Sequence, residues 1–167
     1  MTTVAIISQK GGAGKTTLAL HLAVAAQDAG RVSLIIDTDP QATASQWGSW
    51  REDKPPEVID SPPPRLAAKV EQAQEQGAQF VVIDTPPHAD SAARAAVETA
   101  DLVLIPCRPS AFDLAAIQTT VKLVQLLRKP AFVVFTAGSP NAPRMYEEAD
   151  ELVESFGISA CPVQLPD

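Results

Sequence analysis

The run Lys10-Gly11-Gly12-Ala13-Gly14-Lys15-Thr16-Thr17 limits what this chain can fold into more than any other segment. Three glycines in four positions weaken any helix or strand that contains them. They suit a backbone that curls so that successive N–H groups face one point. The apolar segment Val4–Ser8 precedes the run, and an Ala- and Leu-rich stretch of helical character follows it. Strand, glycine loop and helix in that order make a phosphate cradle, because the helix adds the positive end of its dipole to the loop amides. In such a cradle Lys15 places a charge on the β- and γ-phosphates of ATP or ADP, and the Thr16 hydroxyl is set to ligate Mg²⁺. The run departs from the strict G-x-x-x-x-G-K-[ST] form. Counting back from Gly14, the first position is Gln9, and Lys10 is a second lysine ahead of the glycines. The alternative is a glycine turn that binds nothing; the strand before, the helix after and Lys15-Thr16 in place speak against it.

The rest of the chain repeats the alternation. Short Val- and Ile-rich runs at Val4–Ser8, Val32–Asp37, Phe80–Asp84, Leu102–Cys107, Ala131–Thr136 and Ile158–Val163 mostly lack polar alternation, as strands covered on both faces do. Between them the spacing predicts helices at Thr16–Ala29, Gln41–Trp50, Arg65–Gln76, Ser91–Ala100, Leu114–Arg128 and Pro143–Phe156. This is the pattern of an α/β fold: a three-layer, doubly wound, mostly parallel sheet with helices on both faces, in one domain over 1–167. Gly30, Gly77 and Gly157 stand where left-handed C-terminal caps belong, and Asp90 and Asp113 where N-caps belong. The stretch from Lys54 to Pro64 holds five of the 15 prolines and reads as a surface connection. Trp47 and Trp50 read as partly buried against the sheet. The last apolar run has no covering helix after it, so it is either an edge strand or continued by further chain.

Two more segments end apolar runs in carboxylates. Asp37-Thr38-Asp39 offers two carboxylates to one cleft, suited to holding metal-bound water and orienting an attacking water, although a capped strand-end turn reads the same way in isolation. Phe80-Val81-Val82-Ile83-Asp84 ends in a carboxylate suited to Mg²⁺. In open α/β sheets ligands gather at the carboxyl ends of the strands, where Ser8, Asp37 and Asp84 all stand. Pro106 and Arg108 close another strand at the same edge and are candidates for the base pocket, with a structural turn equally in view. Cys107 and Cys161 form no CxxC pair and suit a reducing cytosol, while a net charge of −7 argues against a strongly basic nucleic-acid binder.

Together, Lys10–Thr17, Asp37-Thr38-Asp39-Pro40-Gln41 and Val82-Ile83-Asp84-Thr85-Pro86-Pro87, with Ile105–Ser110 and Asp113, resemble the ParA/MinD family of deviant Walker ATPases, most closely a short ParA-type partition ATPase. The resemblance implies an ATP-dependent homodimer that sandwiches two nucleotides. Lys10 would reach the partner subunit's phosphates, and Lys15 would hold the β- and γ-phosphates. Thr16 and Asp84 would hold magnesium with Asp37 supporting the shell, while Asp39 would position the attacking water. It further implies weak, partner-stimulated hydrolysis, a centromere-binding or stimulating partner, nonspecific DNA contact through Arg128, Lys129 and Arg144, no membrane, and a bacterial cytoplasmic setting at the nucleoid. Further C-terminal helices are expected of such a protein. Two alternatives stand beside partition: a positioning or scaffold ATPase that moves other cargo, and an ATP-dependent ligase or kinase of the same fold.

Overall fold

A computed structural model describes residues 1–52 and 54–166. The elements run β1 (Thr2–Ile6), α1 (Lys15–Asp28), β2 (Ser33–Asp37), α2 (Thr43–Ser49), β3 (Glu57–Asp60), a short 3-10 turn (Pro63–Arg65) and α3 (Leu66–Glu75). They continue with β4 (Phe80–Asp84), α4 (Asp90–Thr99), β5 (Leu102–Cys107), α5 (Ala111–Leu126), β6 (Ala131–Phe135), α6 (Pro143–Ser155) and β7 (Ser159–Ala160). Among the described residues, seven strands form one sheet in the order β3-β2-β4-β1-β5-β6-β7, and every pairing is parallel.

The apolar runs are explained by burial on both sides. Alternate residues of the central strands face two separate cores. Ala5, Ile7, Ile36, Val81, Ile83, Val103 and Ile105 pack with α3 to α6, whose contributions include Leu66, Val97, Ile117 and Val153. Val4, Ile6, Ile35 and Val82 pack with Leu18, Ala19 and Ala23 of α1 and Ala44 of α2. Each fully buried Ile or Val contributes about 1.5–3 kcal/mol through loss of apolar contact with water. The spacing Leu114, Ile117, Val121, Val124 does put one face of α5 into the core. The cover is uneven, because α1 and α2 lie mainly over the β3–β1 half of their face, with α1 reaching as far as β5. Toward β6 on that side Phe132 remains 40% exposed.

Several expectations need correction. The proline-rich stretch is not only a connection: Glu57–Asp60 forms β3, the edge strand beside β2, with Pro56 just ahead of it. An edge strand tolerates such neighbours because one row of its backbone groups has no ladder to complete. Asp90 is the first residue of α4 rather than its cap, and α4 has no side-chain cap bond. Asp113 is not an N-cap either. Ser110 caps α5, its Oγ accepting from the Asp113 amide at 3.3 Å, which places Asp113 at the third helical position of a capping box. Trp47 is partly buried against the α1-side core under the Arg51 guanidinium, but Trp50 is 71% exposed. The last run shortens to Ser159–Ala160, an edge strand, followed by a single bridge from Leu165 to Thr136. Gly30, Gly77 and Gly157 do take left-handed backbone after their helices.

Candidate functional site

The chain passes from β1 to β2 on one side and from β4 to β5 on the other, so the strand order reverses about β1. A crevice opens at the carboxyl ends there, which is where ligands settle in such sheets. Register brings the motif residues level: Ile6 lies opposite Asp84, and Asp84 opposite Asp37. The strand ends are tied by side chains. Thr38 Oγ1 donates to the Asp84 carbonyl and Thr85 Oγ1 to the Ile6 carbonyl, each at 2.8 Å.

The glycine loop bridges Ser8 and α1. Gly12 (φ 72°) and Gly14 (φ 87°) adopt left-handed backbone that a side chain would strain, and Gly14 leads directly into Lys15, the first residue of α1. Two residues from other loops brace it from outside. Arg108 Nη2 donates to the Gly12 carbonyl at 3.2 Å, and Thr136 Oγ1 donates to the Ala13 carbonyl at 3.0 Å. In a planar trans peptide a carbonyl held one way turns the next N–H the opposite way. The amides of Ala13 and Gly14 are therefore aimed away from their braces.

Lys15 is 7% exposed, its Nζ donating to the Lys10 carbonyl at 3.2 Å. Burial lowers its pKa, opposed by the nearby Asp84 and Asp39 carboxylates. Asp84 is deeper still. Burial pushes its carboxyl up to about 7, against the pull of the Thr16 hydroxyl and Lys15. Its Oδ1 is buried with no hydrogen-bond partner among the described residues. Such an orphaned oxygen beside a threonine hydroxyl fits a magnesium ion that takes one or two protein oxygens and completes its octahedron with phosphate and water. Asp37 is already engaged: Oδ1 accepts from the Asp39 amide at 2.9 Å and Oδ2 from the Ser45 amide at 3.1 Å. Asp39 Oδ1 accepts from the Gln41 amide, leaving this carboxylate on a turn at the crevice.

Lys10 stands at the rim, its side chain 43% exposed and Nζ 2.8 Å from Asp113 Oδ1. Burial alone would raise the Asp113 carboxyl, but Lys10, Ser110 and Arg108 together hold it below its ordinary value. Cys107, in contrast, is pushed up to about 12 by burial and the Asp113 charge, so it is no nucleophile.

Neither Pro106 nor Arg108, the two candidates for the base pocket, lines the cleft beside the loop. Pro106 is buried within β5 opposite Val134, and Arg108 braces the loop from outside. The cleft beside the loop, about 430 Å³, is lined instead by Thr17, Leu18, His21, Thr136, Ala137 and Leu165, with Gly12, Ala13, Gly14 and Pro166. No motif marks Thr136, Ala137 or Leu165 in the sequence; only their place after apolar runs connects them to the site. Larger hollows elsewhere contain none of the motif residues. The basic residues considered for DNA form no common patch. Lys129 Nζ donates to the Ala100 carbonyl, while Arg128, beyond the end of α5, and Arg144, at the start of α6, flank opposite ends of β6. No helix among the described residues is long and apolar enough to cross a membrane.

A parallel sheet with its reversal at β1, a braced glycine loop and a buried lysine–carboxylate pair define a P-loop nucleotide-binding protein. The chain belongs to the CobQ/CobB/MinD/ParA nucleotide-binding domain family, which it matches over residues 4–164. It is 36% identical over 160 residues to the maintenance of carboxysome distribution protein A of Gloeobacter kilaueensis, covering 94% of this chain and 73% of that one. It is 33% identical to protein ParA of Rhizobium radiobacter, covering 84% and 66%. The Halothiobacillus neapolitanus carboxysome distribution protein is matched over 60% of its length, so the chain spans well short of such relatives in full. Among solved structures it superposes on apo McdA from Cyanothece with a TM-score of 0.77 at 20% identity, covering 100% and 86% of the two chains. MinD of Aquifex aeolicus gives 0.75 at 17%, covering 96% and 80%. The family is one of ATPases, and its fold is the one expected from the sequence.

Proposed function

We propose that this chain is an ATP-driven positioning switch that dimerises on ATP and is reset by hydrolysis, distributing a protein-built cargo. The observation that carries this reading is the division of labour between the two lysines. Lys15 is sunk at the mouth of α1 beside Asp84, whereas Lys10 sits at the exposed rim, held there by the largely buried Asp113 carboxylate. One lysine suffices for the phosphates of its own loop; the second would serve phosphates across an interface. Within the subunit, the Ala13 and Gly14 amides and Lys15 would bind the triphosphate, and Thr17, Leu18 and Thr136 would enclose the base side. Thr16 and Asp84 would hold magnesium with Asp37 behind them, an ion that neutralises the charge developing on the phosphates. Asp39 would orient the attacking water.

The carboxysome distribution proteins supply the cargo class, since they match at 36% and 33% identity over 94% and 76% of this chain. Segregation of DNA is the second reading, favoured by the match to ParA of Rhizobium radiobacter. Substituting Lys10→Ala tests the switch. ATP-driven dimerisation and hydrolysis should fall by about tenfold or more, while nucleotide binding by the monomer changes by about threefold at most. A variant that dimerises and hydrolyses like the wild type removes the switch reading. Salt-sensitive, ATP-dependent retention on arbitrary DNA would favour segregation over a scaffold that binds no DNA.

A further inference from the structure

Three strand-end carboxylates stand side by side in register. Asp60 of β3 lies opposite Asp37 of β2, and Asp37 opposite Asp84 of β4. Paired residues of a parallel ladder point to the same face, here the one covered by α1 and α2. Three like charges in a row repel unless something separates or neutralises them. Lys15 and Thr16 serve Asp84. Between Asp37 and Asp60 the separator is Ser45, in the first turn of α2. Its amide donates to Asp37 Oδ2 at 3.1 Å, its Oγ lies 3.3 Å from the same oxygen, and its Oγ also contacts Asp60 Oδ1 closely. The α2 N-cap, Ala42, provides no side-chain bond, so the Asp37 carboxylate caps this helix from the neighbouring strand.

The other Asp37 oxygen accepts from the Asp39 amide at 2.9 Å. Whatever fixes the Asp37 carboxylate therefore fixes the turn that carries Asp39. We infer that Ser45 is a positioning residue: by holding Asp37 between α2 and the edge strand it aims Asp39 at the phosphate site, without touching nucleotide itself. Its hydroxyl has one proton for two carboxylates, so Asp60 on the exposed edge competes with Asp37 for it. The role in hydrolysis rests on the ATPase reading above; the positioning of the Asp39 turn does not.

Two measurements test this on the whole chain, with Ser45→Ala and Ser45→Thr compared. Hydrogen exchange without nucleotide reads the Asp39 amide directly. In Ser45→Ala it should exchange about fivefold faster or more, with core amides of β1 and β4 unchanged, and Ser45→Thr, which keeps the hydroxyl, should restore protection. In steady-state hydrolysis Ser45→Ala should lose about tenfold in kcat with KM for ATP shifted by about twofold at most, since misplacing a water-orienting group costs rate rather than binding. Unchanged Asp39 exchange in Ser45→Ala overturns the proposal, as does a Thr variant as impaired as Ala, or a loss shared equally between KM and kcat. If the wild type hydrolyses no ATP, the ATPase reading falls while the exchange result still judges Ser45.

Discussion

Replacing Asp84 with Asn should stabilise the nucleotide-free protein at pH 8, although it removes a residue placed at the heart of the site. The carboxyl is 1% exposed, and burial raises its pKa from 3.8 to about 7. Each tenfold weakening of an acid corresponds to about 1.4 kcal/mol, so an ionised Asp84 costs the folded chain about 4 kcal/mol relative to the unfolded one. The unfolded carboxyl loses its proton near 3.8 and the folded one near 7. Wild-type stability contributed by this group is thus fully present below pH 3.8 and is lost as pH rises toward 7, levelling off above. Asparagine has no such titration. Burying its amide returns about half of the gain, leaving Asp84→Asn more stable by about 2 kcal/mol at pH 8 and less stable by about 2 kcal/mol at pH 4. Urea unfolding followed by circular dichroism at intervals of about one pH step from pH 4 to pH 8 reads the difference directly. A difference that does not change with pH, or a variant less stable at pH 8, would refute the assignment of Asp84 as a buried acid that its neighbours only partly compensate. With magnesium and ATP present the advantage of the variant should shrink or reverse, because the wild type, which keeps the magnesium carboxylate, gains more binding energy.

Thr136→Val keeps shape and removes the brace on Ala13. Nucleotide affinity measured by calorimetry should weaken by about fivefold, the equivalent of one hydrogen bond of about 1 kcal/mol. Gly138→Ala would drive a Cβ to 2.7 Å from Pro109 Cγ and still closer to Tyr146 Oη, so thermal unfolding should show a loss of about 1–3 kcal/mol. Tyr146→Phe removes a buried hydroxyl that has no partner among the described residues; it should cost nothing alone and relieve part of the Gly138→Ala loss in the double variant.

The phosphate loop and the two acidic strand ends were legible because each is a local pattern: a strand's worth of Val and Ile, then a residue type that only backbone curvature or a cation explains. β3 was hidden because Glu57-Val58-Ile59-Asp60 has two apolar residues between prolines, too few to register as a buried strand; it pairs only because β2 already offers an edge. Ser110-x-x-Asp113 was a capping-box signature in plain view, but its second use, holding Lys10, spans a separation of 103 residues that spacing rules do not reach. The same limit hid the Thr136 brace and the one that Arg108 supplies. Both act through loop carbonyls, which are present at every position and so leave no mark in the sequence. Pro106 and Trp50 were judged by neighbourhood in the chain, and the sheet and the helix turned each of them elsewhere.

The two braces on the glycine loop also bear on binding. A cradle held from outside by Arg108 and Thr136 has its shape before nucleotide arrives, so less ordering is left to be done on binding. Each brace opposes loosening of the loop by about 1 kcal/mol. Both braces are rooted in the segments just beyond β5 and β6, so a displacement of either segment would reshape the loop without approaching a phosphate.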